Sequence, residues 1–325
     1  MSDGETMHAP VMVGRCVELL APQLEGPSAI VIDGTLGLGG HSEAILRRFP
    51  EAILVGIDRD RKALDLASVR LAPFGLRFTG HHAEYDDMAG ALARVGAKRA
   101  SGVLLDLGVS SMQIDETERG FSYSVDAPLD MRMNPDDPRT AADLLRDESE
   151  AELARILREY GEERFAGRIA RSIVRERAIT PLTRSAQLVE IVRAAIPAAA
   201  RATGGNPAKR SFQALRIAVN RELEILSRAI VKAIECTEVG GRVVVLAYHS
   251  LEDRIVKRAF AAGAEIHVPP GMPVIRDEDQ PYLRLVTRGA ERPSEAEVEA
   301  NPRAASARLR AVERIAETPP SRRAA

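Results

Sequence analysis

Short apolar segments that each end in an aspartate recur along the first third of the chain. Residues 30–32, 52–57 and 102–105 are almost wholly apolar, and Asp33, Asp58 and Asp106 follow them. A segment of helical periodicity comes after each one, so strands and helices alternate. That alternation predicts a parallel sheet with right-handed crossovers, in which the carboxyl ends of the strands share one edge. We therefore expect the three aspartates to meet at a ligand-binding edge.

The later segments interrupt this pattern once and then resume it. Residues 76–79 predict a further strand, followed by a loop at 81–85 and a helix to about residue 95. Apolar residues recur at helical spacing from about 140 to 201, and one long helix is predicted over 211–236. Residues 240–249 and 283–286 are typical of strands, and a helix opened by a cap at 250–253 lies between them. The predicted fold class is α/β, a Rossmann-like sheet domain with an inserted all-helical domain.

This pattern also sets the predicted domain boundaries. Residues 1–115 form the first part of the sheet domain, 116–210 the inserted helical domain, and 211–315 the second part of the sheet domain. The tail at 316–325 is predicted to be disordered.

The segment from Asp33 to Ser42 predicts a ligand-binding turn. Glycines at 34, 37, 39 and 40 lack a Cβ that would keep a ligand from the backbone, and they permit positive φ. Either His41 or Ser42 is expected to cap a helix running to about residue 49, whose first N–H groups are free. Asp58 follows about 20 residues later, where a doubly wound fold places the acid that binds a ribose diol. Together these features predict a pocket for an adenosine-containing ligand.

Two phosphate-binding motifs are missing from this turn. A P-loop requires Gly-Lys-Ser/Thr, but His41 and Ser42 follow Gly40. A dinucleotide fingerprint that begins at Gly37 requires a glycine at position 42. The remaining pattern resembles class I S-adenosylmethionine-dependent methyltransferases, although Gly37 lies two residues later than usual. An ordinary glycine turn between a strand and a helix is the alternative.

Composition agrees with a globular chain. The 325 residues are 45% apolar and 28% charged, with a net charge of −2. There is no apolar run of about 18 residues and no basic-plus-apolar leader, so we expect a cytoplasmic protein without a membrane span. Cys16 and Cys236 form no metal-binding or redox motif and are expected to be buried thiols. The histidines are scattered, and no metal site is predicted.

Charge is unevenly distributed within the predicted helical domain. Residues 143–163 carry eight acids against three bases, whereas residues 168–216 carry ten bases against two acids. A local excess of this size favours a nucleic-acid surface, because phosphate contacts supply most non-specific affinity. The alternative is a solvated helix face balanced by acids elsewhere. The ten bases are Arg168, Arg171, Arg175, Arg177, Arg184, Arg193, Arg201, Lys209, Arg210 and Arg216.

Nine motifs in one order resemble a known family. The chain from about residue 8 to 315 closely resembles the bacterial 16S ribosomal RNA cytosine-N4 methyltransferases, the RsmH or MraW family. The motifs are Asp33-Gly-Thr-Leu-Gly-Leu-Gly-Gly-His-Ser42, Gly56-Ile-Asp-Arg-Asp60, Leu104-Leu-Asp-Leu-Gly-Val-Ser-Ser111, Glu118-Arg-Gly-Phe-Ser122, Pro128-Leu-Asp-Met-Arg-Met133, Tyr160-Gly-Glu-Glu-Arg-Phe-Ala166, Ser211-Phe-Gln-Ala-Leu-Arg216, His249-Ser-Leu-Glu-Asp-Arg254 and Asn301-Pro-Arg303.

The resemblance implies a cofactor, a substrate and a set of binding residues. The cofactor is S-adenosylmethionine, and the substrate is one cytosine in the decoding region (P site) of 16S rRNA in the small (30S) ribosomal subunit. Tyr85 stands where the family usually has phenylalanine beside the adenine, and Met112 replaces a commoner proline. Oligomeric state stays open between monomer and homodimer. The implied cofactor residues are Gly39, Gly40 and His41 for the methionine and sugar portion, Asp58 for the ribose and Tyr85 for the adenine. Asp106 and Gln113 complete the implied set.

The chemistry requires an acceptor for the target amine. The cytosine amino group is a poor nucleophile, and acceptors on its N–H bonds would make it more reactive and help remove the proton. The Asn/Asp-Pro-Pro-aromatic motif of many amino-methyltransferases does not occur, and Asp106 occupies its place. Asp106 is therefore the leading catalytic candidate, and Ser110, Asp130, Arg132 and His249 are weaker ones with structural roles as the alternative.

Other functions stay open at this point. The chain could methylate another RNA site or a ribose oxygen, or it could be a non-catalytic RNA-binding assembly factor that keeps the cofactor fold. Methylation at C5 is disfavoured because neither cysteine lies near a strand-end motif.

Overall fold

The protein is described by a computed structural model that covers residues 10–201, 206–266 and 276–322. It divides into two compact units. The sheet unit comprises Met1–Gly108 and Leu223–Ala325, and the helical unit is Val109–Glu222. The sequence analysis placed the inserted domain at 116–210, so the helical unit begins earlier and ends later than those bounds.

Helices and strands alternate through the sheet unit, and helices fill the other. The helices are α1 Val13–Leu20, α2 Gly40–Arg48, α3 Arg61–Leu71, α4 Met88–Arg94, α5 Ser111–Asp115, α6 Ala141–Asp147, α7 Glu150–Glu159, α8 Ala166–Arg177, α9 Ser185–Ala195, α10 Ala198–Arg201, α11 Lys209–Asn220, α12 Glu222–Cys236, α13 Ser250–Ala264 and α14 Glu295–Ala300. The strands are β1 Ile30–Asp33, β2 Ile53–Asp58, β3 Phe78–His82, β4 Ala100–Asp106, β5 Thr237–Ala247, β6 Leu283–Leu285 and β7 Arg308–Arg314.

The sheet unit is built on one seven-stranded sheet in the order β3-β2-β1-β4-β5-β7-β6. Strands β1 to β5 pair in parallel, and β7 pairs antiparallel with both β5 and β6. Asp33 lies opposite Leu104 in the register, and Asp106 lies opposite Leu246. The predicted α/β class is therefore confirmed, and the aspartates lie at the carboxyl ends of β1, β2 and β4.

Alternate strand residues enter two separate hydrophobic cores. Leu54 and Leu104 belong to one core, with residues of α1, α2 and α3. Val55 and Val103 belong to the other, with residues of α4, α12 and α13. Since successive side chains of a strand point to opposite faces, both faces of this sheet are covered by helices. Burial on both faces explains why the strands are apolar without alternation.

The helical unit has a core of its own, formed by α6 to α9, α11 and the irregular segment before α6. Asn220 clamps that segment. Its side chain accepts from the Met133 N–H at 2.7 Å and donates to the Met131 carbonyl at 2.7 Å. It also donates to the Arg216 carbonyl at 2.8 Å. Met131 has φ of 62°, a conformation that non-glycine residues rarely adopt and that Asn220 helps to hold.

Several predicted elements are displaced in the structure. The third strand begins at Phe78, because a 3-10 segment with Gly75 at φ 58° precedes it, and the two histidines expected in the following loop lie within the strand. The long helix predicted over 211–236 is broken at Arg221, which has φ of 53°. Residues 320–322 form a 3-10 helix and Thr318 is buried, so 316–322 differ from the predicted disordered tail; 323–325 lie outside the described residues.

No helix within residues 10–201, 206–266 and 276–322 combines the length and apolarity that crossing a membrane requires.

Candidate active site

The glycine turn after β1 packs mainly against protein. A Cβ added at Gly34 would lie 2.5 Å from the Leu105 side chain, and one at Gly40 would lie 2.4 Å from Pro10. One at Gly39, with φ of 76°, would lie 3.2 Å from Leu71. At Gly37, with φ of 51°, the nearest atom to an added Cβ is the Thr35 carbonyl oxygen, at an ordinary contact distance of 3.9 Å. At Gly34, Gly39 and Gly40 the missing Cβ therefore leaves room for neighbouring side chains, and the contact of these glycines with a ligand stays a prediction.

The start of α2 also differs from the prediction. Gly39 is the N-cap residue, in the left-handed conformation, and no side chain caps the helix. His41 and Ser42 lie within the first turn instead. Ser42 donates its hydroxyl to Asp33 at 2.7 Å, and this bond ties the helix to the end of β1. Burial raises the pKa of Asp33 despite that bond, so Asp33 serves as a buried brace of the turn.

Asp58 ends β2 with a half-buried side chain. One oxygen accepts the Gly37 N–H at 2.8 Å and the other accepts the Asp60 N–H at 2.8 Å. Burial, together with the nearby carboxylates of Asp60 and Asp33, raises its pKa to about 7 against these two bonds. Each oxygen keeps a lone pair for another donor. The carboxylate is thus placed to accept two hydroxyl groups.

Asp106 ends β4 beside three polar partners. Its backbone N–H donates to the Thr35 hydroxyl at 2.6 Å, and its Oδ1 accepts the Tyr248 hydroxyl at 2.7 Å. The Nδ1 atom of His41 lies 3.6 Å from Oδ2. Burial raises the pKa of Asp106, while His41 and Tyr248 oppose that shift. The arrangement leaves Oδ2 as the oxygen without a short bond to a described side chain.

The His41 ring lies between the backbone of Val11 and the side chain of Asp106 in the sheet unit. Its Nε2 lies 3.0 Å from the Val11 carbonyl oxygen, and its Nδ1 faces Asp106. The structure thus brings His41 and Asp106 together, and their cofactor contacts stay a prediction. Tyr85 is half-buried and its Cβ lies 3.5 Å from the position of a Cβ at Gly34, so the ring begins beside the end of β1.

His249 has a structural role that the sequence analysis named as the alternative. It is the N-cap residue of α13, one position before the predicted cap, and forms a capping box with Glu252. Its Nδ1 accepts the Glu252 N–H at 3.4 Å, and Nε2 lies 3.3 Å from Glu252 Oε1. Both ring nitrogens therefore face Glu252.

The other candidate residues belong to the helical unit. Ser110 and Gln113 form the capping box of α5, in which Ser110 accepts the Gln113 N–H at 3.2 Å and Gln113 accepts the Ser110 N–H at 3.1 Å. Asp130 and Arg132 form a bidentate pair at 2.8 and 2.7 Å, and Arg132 also donates to the carbonyls of Pro135 and Asp137. These bonds brace the segment before α6.

Charge pairing accounts for the acidity of Asp130. Burial favours the neutral carboxyl group, but the hydrogen bonds from Arg132 outweigh burial and hold the pKa of Asp130 below its usual range. Asp130 is therefore ionised and paired, which suits a structural brace.

The two cysteines are poor nucleophiles. Burial raises the pKa of Cys236 to about 12, and burial also raises the pKa of Cys16. Since the thiolate is the reactive form, neither side chain is activated.

Tyr248 and Thr35 are the residues near Asp106 that the sequence analysis missed. Thr35 lies within the turn motif, and Tyr248 directly precedes the motif that begins at His249. The parallel pairing of β5 with β4 places Tyr248, the residue after β5, near the end of β4, and the sequence alone does not show this pairing.

Comparison with known proteins shows the family. The sequence model of the MraW methylase family matches residues 5–315. The "Ribosomal RNA small subunit methyltransferase H" of Beutenbergia cavernae is 59% identical over 313 residues, which cover 96% of this chain and 94% of the relative. Proteins of the same name from Nocardioides sp. and Streptomyces avermitilis are 60% and 57% identical, over 94% and 96% of this chain and 96% and 98% of theirs.

The fold is that of a Rossmann-like α/β domain with carboxylates at the strand ends. The chain belongs to the MraW methylase family.

Proposed function

We propose that this protein is an S-adenosylmethionine-dependent methyltransferase that methylates N4 of a specific cytosine in the decoding region of 16S rRNA, within the small (30S) ribosomal subunit. The observation that carries the proposal is the match of 57–60% identity, over nearly the whole chain, to proteins named for small-subunit rRNA methylation. Asp58 and Asp106, at the ends of β2 and β4, supply the chemistry that this reaction needs.

The residues of the sheet unit fit the proposed cofactor. Asp58 holds a carboxylate with two free acceptor positions for the ribose hydroxyls, and the N–H of Gly37 donates to it. Tyr85 would stack on the adenine, and Gly39, Gly40 and His41 would line the methionine and sugar portion. Bound S-adenosylmethionine supplies an electrophilic methyl carbon on its sulfonium. Gln113 stays a cofactor residue on the family resemblance alone.

Asp106 is proposed to accept a proton from the cytosine amine. Bound S-adenosylmethionine would supply the methyl group for the new bond to the amine nitrogen and would retain the electron pair of its carbon–sulfur bond on sulfur. The proton leaves the nitrogen for Asp106 Oδ2 and then passes to solvent. Burial and a raised pKa make Asp106 a stronger base than an exposed aspartate once it is ionised. His249, Ser110, Asp130 and Arg132 have structural partners, so we place none of them in the chemical step.

The reaction is tested with small ribosomal subunits that lack the modification and labelled cofactor. Nuclease digestion and mass spectrometry of the product would identify N4-methylcytidine at one position. A methyl group on a ribose oxygen, on C5 or at another base would replace the proposal with a different RNA methyltransferase. Binding of subunits without any transfer would favour the assembly-factor alternative.

A substitution of Asp106 distinguishes a role in proton acceptance from a role in cofactor binding. Asp106→Asn should lower the single-turnover rate by about a hundredfold or more, since general-base contributions are of this order. Cofactor affinity should fall by no more than about threefold, because an interaction made mainly in the transition state appears in the chemical step. Equal losses in rate and affinity would leave Asp106 as a cofactor ligand only.

RNA contact is proposed for the cations of the helical unit that lack acidic partners. Much of the basic stretch is paired, with Arg171 Nε 3.5 Å from Glu150 and Arg175 Nη2 2.9 Å from Glu176. Arg184 and Arg216 are paired with Asp126 and Glu222 in the same way. Among the described residues, Arg168, Arg193 and Lys209 are exposed and have no acid within ion-pair distance, and Arg210 donates only to the Glu162 carbonyl.

Two matched double variants test whether the unpaired cations, rather than the paired ones, contact RNA. Arg168→Glu with Lys209→Glu should weaken subunit binding and reduce the slope of log affinity against log salt by about one for each lost phosphate contact. Arg171→Glu with Arg175→Glu changes the net charge equally but removes cations that already have partners, so its effect should be smaller. Equal effects would show that overall charge, rather than these positions, governs binding. Cofactor affinity should be unchanged in both.

A further inference from the structure

Tyr248 is held in place from three sides in the sheet unit. Its hydroxyl donates to Asp106 Oδ1 at 2.7 Å, and its backbone N–H donates to Glu252 Oε2 at 2.8 Å. Its ring lies against Gly108, where an added Cβ would be 3.5 Å from Cδ2. Gly108 has φ of 99°, which favours glycine, so the ring rests on a backbone without a side chain. The hydroxyl therefore has little freedom to leave Asp106.

The hydrogen bonds around Asp106 divide its two oxygens. Oδ1 accepts the Tyr248 hydroxyl, whereas Oδ2 lies 3.6 Å from His41 Nδ1, beyond a normal hydrogen bond. The backbone N–H of Asp106 is satisfied by the Thr35 hydroxyl. The side chain of Asp106 keeps 24% of its surface exposed, so Oδ2 can meet a further donor.

We propose that Tyr248 is a positioning residue that fixes the Asp106 carboxylate through Oδ1 and presents ionised Oδ2 to the amine of the substrate. This inference rests on the proposed function, because it assigns Tyr248 to the same chemical step. Tyr248 acts through Asp106 and donates no proton to the substrate, since burial and the Asp106 carboxylate both raise the pKa of its hydroxyl.

The proposal predicts the direction in which the pH dependence of the rate should change when Tyr248 is altered. The hydroxyl of Tyr248 and the imidazole of His41 favour the ionised carboxylate of Asp106, while burial and the carboxylates of Asp33 and Glu252 oppose it. The thiol of Cys16 also faces Asp106, and burial raises its pKa, so it stays neutral. Removing the Tyr248 hydroxyl should therefore raise the pKa of Asp106. The acid limb of the rate profile should move to higher pH.

The experiment measures single-turnover methyl transfer to small ribosomal subunits across pH. Tyr248→Phe should move the acid limb up by about one pH unit, the effect expected for one hydrogen bond to a charged group. Raising the pH should restore most of the lost rate, which a merely structural defect would not allow. A fluorinated tyrosine at position 248, a stronger donor, should move the limb in the opposite direction.

Tyr282→Phe is the matched control, because it removes a hydroxyl from another buried ring of the sheet unit that packs against Gly263. It should leave the profile unchanged. An unmoved acid limb in folded Tyr248→Phe, or a loss of rate that is equal at every pH, would overturn the positioning role while methyl transfer by the parent protein still stood. Absence of transfer by the parent protein would instead overturn the proposed function.

Discussion

Cofactor binding should depend on pH through Asp58. Two backbone N–H groups, from Gly37 and Asp60, already donate to this carboxylate at 2.8 Å each. Burial and the nearby carboxylates of Asp60 and Asp33 nevertheless raise its pKa to about 7. Ribose hydroxyls donate to the ionised form, so binding should lower the pKa of Asp58 and release a proton wherever the free protein is protonated.

The magnitude follows from the fraction of the carboxylate that is ionised before binding. One pH unit below a pKa of about 7, roughly one carboxylate in ten is ionised, and one unit above it roughly nine in ten are ionised. Affinity for S-adenosylmethionine should therefore improve by about tenfold between these two conditions. Calorimetric titration in buffers of different ionisation enthalpy would measure both the affinity and the proton released.

Two variants assign the effect to Asp58. Asp58→Asn should weaken binding by about ten- to a hundredfold at the higher pH and should remove most of the pH dependence. Asp60→Asn removes a neighbouring negative charge, so it should lower the pKa of Asp58 and move the transition to lower pH. If the parent affinity did not change with pH, or if Asp58→Asn kept the full dependence, the carboxylate would not be the ribose ligand.

Two stability predictions concern polar clamps. Asn220→Ala should lower the free energy of unfolding of the helical unit by about 2–5 kcal/mol, because it leaves the buried Met133 N–H and Met131 carbonyl without their bonds; urea titration followed by circular dichroism would check this. Asp253, 6% exposed, accepts from Arg310 at 2.6 Å, and Asp253→Asn should cost about 3 kcal/mol near neutral pH. Burial favours the neutral carboxyl group, but Arg310 and Arg308 together outweigh it and lower the pKa of Asp253. The loss of stability should therefore be complete above the unfolded pKa and should vanish as acid protonates the folded carboxyl group; an equal loss in acid would contradict the pairing.

The positions of the strand-end aspartates could be predicted from the sequence. A strand buried on both faces must be apolar throughout, so the first charged residue after such a segment marks its end. Parallel pairing then brings Asp33, Asp58 and Asp106 to one edge, as the structure confirms.

Contacts between side chains distant in sequence could not be predicted in this way. The bond between Tyr248 and Asp106 depends on the register of β4 and β5. That register, in which Asp106 lies opposite Leu246, is seen only in the folded structure. The sequence likewise does not show which side chains face the glycines at 34, 39 and 40. The sequence also does not show that Arg171 and Arg175 are paired with Glu150 and Glu176, whereas other cations of the same stretch are not.

The helical unit lies in the chain between two strands that pair with each other. Strand β4 ends at Asp106 and β5 begins at Thr237, so about 130 residues are synthesised before β4 acquires its second neighbour. At bacterial translation speeds this takes roughly ten seconds. During that time the nascent chain exposes an apolar strand edge with unpaired backbone groups, the kind of surface that recruits other chains. We expect chains interrupted within the insertion to aggregate, and full-length yield to depend on chaperones that cover the edge until β5 emerges from the ribosome.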